Sequence, residues 1–253
     1  MSDRPQPSTI RRVTRSDSAS IPRLLSFLLA LSIGVGAPGP ARGAALGATV
    51  AAPDSAHFRR AVDHPYFPLV PGTSLRYTEK LGRHVADIQV QVTSETRRVL
   101  GIACTLVREQ MREKSQLTQE TLTGYAQDDS GSVWILFEES REYHGAVLSS
   151  TEGSWEAGLE GARAGVVMPA RLQPCEPIAH GFLKGVAEDR SQLVAIGESV
   201  NVPFGAFSDC LKFKEWSMLE SGTDRKWYAR GVGLVRAESA SRELTELVAT
   251  SRP

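Results

Sequence analysis

Apolar and polar residues alternate with a period of two along much of this chain. Leu75 and Tyr77 alternate with Arg76 and Thr78, and Ile88, Val90 and Val92 alternate with Gln89, Gln91 and Thr93. Successive side chains leave a strand on opposite sides, so this period predicts strands with one face on a core and one in water. Gly82, between the two runs, predicts a hairpin turn. Residues 99–107 and 117–127 continue the pattern, the second through Thr121, Thr123 and Tyr125. Asp128-Asp129-Ser130-Gly131 then supplies turn residues before a strand over 132–138, which predicts a second hairpin.

The texture changes in the middle. Gly153-Ser154-Trp155-Glu156-Ala157-Gly158, continuing to Gly165 and Met168-Pro169, is rich in glycine and predicts a long ordered loop pinned by Trp155. The best helix candidate, residues 186–192, is barely two turns long. Strand texture returns over 193–202, 207–218, 226–229, 232–238 and 244–249. Successive strands with tight turns and few short helices predict an all-β fold, an antiparallel meander forming a strongly curved sheet or open barrel.

The N-terminus follows another pattern. Arg4, Arg11, Arg12, Arg15 and Arg23 precede an uncharged apolar run over 24–35 and the small-residue stretch Ala41-Arg42-Gly43-Ala44-Ala45. An apolar core of about a dozen residues is too short to span a bilayer, and this order predicts a signal peptide over 1–43. Residues 44–66 read as a flexible lead-in and 67–253 as a single β-rich domain, which predicts a periplasmic or secreted protein. No stable membrane span is expected after cleavage.

Composition narrows the partners. Cleavage after residue 43 leaves 23 basic and 27 acidic residues, a formal charge of −4. Such a surface gives no electrostatic reason to expect nucleic acid. Of Cys104, Cys175 and Cys210, Cys104 and Cys210 lie in apolar strand-like runs and form the preferred disulfide pair, with three reduced thiols as the alternative. His57, His64, His84, His144 and His180 are scattered without metal-ligand spacing, so no metal and no cofactor is expected. The common hydrolase, nucleotide and zinc-protease motifs are missing.

Two kinds of site remain. Tyr125, Trp134, Trp155 and Trp227 could line an apolar ligand pocket on the concave face of the sheet. Carboxylates for acid/base chemistry could come from Glu120, Asp128, Glu138 and Glu188, above all Glu138 with Glu120 or Asp128. Asp128, Asp129, Ser130 and Glu138 also have the composition, though not the spacing, of a cation loop.

Tyr125-Ala126-Gln127-Asp128 with Gly131 and Val133-Trp134, Gly153 to Gly158, Val167-Met168-Pro169-Ala170, and Tyr228-Ala229-Arg230-Gly231-Val232-Gly233-Leu234-Val235 carry a resemblance. They are similar to an uncharacterised family of exported bacterial β-rich proteins with no assigned activity. The chain departs from that pattern at Ile135-Leu136-Phe137-Glu138, where an aromatic-x-Gly-Glu run is usual, and at Gly124, where Trp is common. The resemblance implies export and a β fold. The leading functional expectation is an exported protein that binds an apolar small molecule, lipid or envelope partner. The alternatives are a carboxylate-dependent hydrolase of envelope material and a structural partner-binding module.

Overall fold

The computed structural model describes residues 53–174 and 176–253. The expected signal peptide, the start of the lead-in and Cys175 lie outside the described residues. A 3-10 turn at Ser55–His57 leads to β1 (Phe58–Arg59), β2 (Val62–His64), β3 (Phe67–Leu69), β4 (Ser74–Leu81), β5 (His84–Val99), β6 (Ile102–Glu113), β7 (Gln116–Asp128), β8 (Val133–His144) and β9 (Val147–Ser150). The short β10 (Trp155–Glu156), β11 (Arg163–Met168), β12 (Ile178–Ala179) and β13 (Gly181–Phe182) follow. The chain ends in β14 (Asp189–Val202), β15 (Gly205–Ser217), β16 (Asp224–Ala229), β17 (Gly233–Glu238) and β18 (Leu244–Ser251).

The fold is all-β, an antiparallel meander curled into a nearly closed barrel. From β4 to β8 and from β14 to β18 each strand pairs with the next, and β18 returns to β4 with Leu247 opposite Tyr77. The seam lies between β14 and β11. There β12 pairs with β14, β13 pairs with β11, and His180 alone separates β12 from β13. The five residues 178–182 therefore form one short segment that ties both ends of the sheet together.

Alternation decides which face is buried. On β5, Ala86, Ile88, Val90 and Val92 are buried while Asp87, Gln89 and Gln91 are exposed. On this strand the inner face is apolar and the outer face polar. No helix among the described residues is long and apolar enough to cross a membrane.

Four expectations need correction. Residues 186–192 form a turn and the start of β14 instead of a helix, because Asp189, Ser191 and Leu193 are buried at a period of two. The glycine-rich middle contributes β11, paired to β8, and there glycine marks close approach instead of a loop. A Cβ on Gly165 would collide with the Ala179 carbonyl and the backbone of His180. The described part of the lead-in is docked: β1 pairs with β7, β2 with β3, and Val62, His64 and Tyr66 are buried. Cys104 and Cys210 are separate buried thiols. They sit on β6 and β15, with five strands between them, and each Sγ–H is directed at a carbonyl of its own strand, Ile102 or Ser208.

Candidate functional site

A β-bulge in β8 sets the site. Gly124 pairs with Phe137, but Tyr125 pairs with Ile135, so Leu136 is an extra residue. Its carbonyl is taken up by the Ala157 N–H at 2.9 Å. An extra residue inverts the alternation beyond it. Trp134 and Phe137 therefore share one face with Ala126 and Gly124, whereas Ile135 and Glu138 share the other with Tyr125 and Thr123. Without the bulge, Trp134 and Glu138 would point the same way. With it, Glu138 enters the barrel and Trp134 stays outside.

The register carries other charged residues to the same interior. Glu109 lies opposite Thr121 on the face of Tyr125, Glu215 lies opposite Ser191, and Asp189 starts the same run on β14. Lys226 lies opposite Phe213. Glu109, Glu138, Asp189, Glu215, Lys226 and His180 are all buried, as are Tyr125, Phe213 and Tyr228. The Lys226 Nζ lies 2.6 Å from Glu215 Oε2. Burial would lower the Lys226 pKa, but Glu215, with Asp224 and Glu109, outweighs it and raises it.

Glu138 has no such match. It is 1% exposed and neither carboxyl oxygen has a hydrogen-bond partner. Burial, with the charges of Asp189 and Glu109, pushes its pKa well above the ordinary carboxylate value and favours the protonated form. Asp189 is pushed up to about 7, chiefly by burial and against a weaker pull from the Ser217 hydroxyl. Burial lowers His180 to about 4, so its ring is neutral, and neither ring nitrogen has a partner. Trp155 lies directly opposite Glu138 across β10 and β8, 96% buried, with its indole N–H also unpartnered. Its ring edge fills the space over Gly181, which only glycine leaves open.

Of the residues singled out in the sequence, Tyr125, Trp155 and Glu138 belong to this interior. Trp134 and Trp227 do not. The Trp134 indole donates to Asp128 at 2.7 Å and packs edge-on against Phe58, while Trp227 lies between Lys212 and Arg236. Neither proposed carboxylate pair is assembled. Glu120 alternates to the outer face, where it accepts from Gln110 at 2.6 Å and pairs with Arg141. Asp128 holds the hairpin turn through Ser130, the Ser132 N–H and Trp134. Glu188 accepts from the Gly185 N–H in another turn. The loop composition of 128–130 thus serves the turn, and no group of three or more metal-ligating side chains occurs among the described residues.

Sequence reasoning passed over Glu109, His180, Asp189, Glu215 and Lys226. Four of them have a local signal. Glu215 continues the buried series Leu211, Phe213; Asp189 opens the series Ser191, Leu193; Lys226 and Tyr228 share a face; and Glu109 follows Thr105 and Val107. A charge in phase with buried apolar positions is the pattern to seek. His180 has none, because its placement depends on the seam.

No family model matches the chain, and no curated protein matches it. Among solved structures, it is similar to a crystal structure described as a putative lipoprotein from Parabacteroides distasonis ATCC 8503. The two share 15% identity over 74% of this chain and 98% of that one, with a TM-score of 0.41. A likeness of that size carries no argument about the site.

Proposed function

We propose that this is an exported binding protein that holds a small molecule inside its barrel, with a polar group of that molecule against Glu138, His180 and Trp155. The observation that carries the reading is a set of unpartnered polar groups: both Glu138 oxygens, the N–H of Trp155 opposite Glu138, and both nitrogens of His180, whose neighbour Gly181 lies under the Trp155 ring. A buried polar group without a partner costs about 1–3 kcal/mol, so several together favour a further molecule that satisfies them. Tyr125, Ile135, Phe213 and Tyr228 give the rest of such a ligand an apolar lining. Export, to the periplasm or beyond, rests on the basic, apolar and small-residue order of residues 1–43.

Native mass spectrometry of protein purified from the periplasm of an expressing bacterium tests this. The expected spectrum shows the chain cleaved near residue 43 with a reproducible added mass, which disappears in Glu138→Leu. A bare chain in the wild type, at every extraction condition gentle enough to keep non-covalent ligands, would contradict it.

A further inference from the structure

The acids of the interior outnumber its cations. Glu138 lies within electrostatic reach of Asp189, Glu109 and Lys226, and Tyr125 within reach of Glu138, Glu109 and Glu215. Among the described residues of the interior, one ammonium, Lys226, stands beside Glu138, Asp189 and Glu215, and it is already in contact with Glu215. Glu138 and Asp189 share the field of that paired lysine and have no cation of their own. The His180 ring and the Trp155 indole N–H, each more than nine-tenths buried and unpartnered, mark the same place as incomplete.

Three ligand chemistries can be compared there. A carboxylate or phosphate would lie beside Glu138 and Asp189 with the ammonium of Lys226 already held by Glu215. A neutral alcohol would bond to Glu138 or His180 but gain nothing from the acid excess. An ammonium group can pair with the carboxylate that Glu138 becomes on giving up its proton, and the phenol and indole rings around it add cation–π attraction.

Resting on the binding reading above, we propose that the ligand is an amphiphilic amine, its nitrogen paired with Glu138 and its hydrocarbon lying along Trp155, Tyr125 and Phe213. The proton balance is explicit. An amine arriving as the free base takes the Glu138 proton, giving an ammonium and a carboxylate; an amine arriving as ammonium releases that proton to water. Where alkylamines are ammonium ions, binding therefore releases the proton that Glu138 carries in the free protein.

Titration calorimetry of the purified chain, refolded free of ligand, with n-octylamine, 1-octanol and sodium octanoate separates the outcomes. The proposal expects octylamine to bind at least tenfold more tightly than octanol, and octanoate more weakly than octanol. The octylamine enthalpy should vary with buffer ionisation enthalpy by about one proton released. Glu138→Gln should lower octylamine affinity at least tenfold and leave octanol unchanged, and Asp189→Asn should act in the same direction if Glu138→Gln does not fold. Tighter binding of octanoate or octanol, or undiminished octylamine affinity in the folded variants, overturns the amine assignment while leaving the barrel as a binding site. No binding of any of the three, together with a bare native mass, overturns both.

Discussion

Trp155 lies directly across from Glu138 on the inner face of the barrel, and neither the indole N–H nor the carboxyl group has a hydrogen-bond partner. This arrangement separates stability from function. Leu is close to Glu in volume and needs no hydrogen bond, so Glu138→Leu should stabilise the ligand-free protein by about 1–3 kcal/mol while abolishing ligand retention. Urea unfolding of refolded wild type and variant measures the first effect. Destabilisation of similar size would mean that the carboxyl is already satisfied.

The pH dependence of stability carries opposing signatures from the same interior. Asp189 titrates at about 7 when folded, against an ordinary 3.8, and Glu79, buried beside Glu243, also at about 7. Between about pH 4 and 7 the folded protein holds protons that the unfolded chain has lost, so raising pH through this window lowers stability. His180 runs the other way, with a folded value of about 4 against 6.5. Its contribution is present above 6.5 and is lost as pH falls towards 4. Asp189→Asn should therefore shrink the fall in unfolding free energy from pH 5 to 7.5 by about 2–3 kcal/mol, and His180→Asn should enlarge it by about 2 kcal/mol. Urea titrations at the two pH values check both signs.

Gly124 and Phe137 face each other in the β7–β8 register, and a Cβ on Gly124 would fall inside the Phe137 ring. Gly124→Trp alone should destabilise by more than 3 kcal/mol through overlap, whereas Gly124→Trp with Phe137→Gly should recover most of that loss. A double-mutant cycle by chemical denaturation measures the coupling; additive losses would show that the two sites are independent.

The seam depends on Gly165, over which the backbone of Ala179 and His180 passes. Gly165→Ala must push 178–182 off β11, and an overlap with backbone costs about 1–3 kcal/mol. Amide exchange at Gly181 and Phe182, whose strand pairs with Ala164 and Arg163, should rise more than exchange in β5 or β6. A uniform rise would show that the seam does not open separately.

Lys226 and Glu215 form a buried pair at 2.6 Å. Lys226→Met leaves the Glu215 charge unmatched and should cost about 3–5 kcal/mol, while Lys226→Met with Glu215→Leu should recover most of it. Thermal unfolding of the three variants at pH 7.5 decides this.

Strand positions such as 88–92 and the turn at Asp128 were legible in the sequence because period-two alternation and turn residues are local signals. The sequence marks Glu138 as a candidate but not its partners. The extra Leu136 flips the alternation, so counting along β8 groups Glu138 with Trp134 when the register groups it with Tyr125 and Trp155. His180 and Asp189 meet because 178–182 crosses the seam, a long-range pairing with no local trace. The glycines of the middle segment read as loop because composition does not distinguish a flexible turn from a strand that another backbone must approach.

A crystal structure of the protein purified without denaturation shows most directly whether the barrel interior around Glu138 is a ligand site. Density for a small molecule is expected inside the barrel, within hydrogen-bond distance of a Glu138 carboxyl oxygen and of His180 or the Trp155 N–H. An interior in which these groups bond only to one another or to ordered water, with no other density beside them, would contradict it.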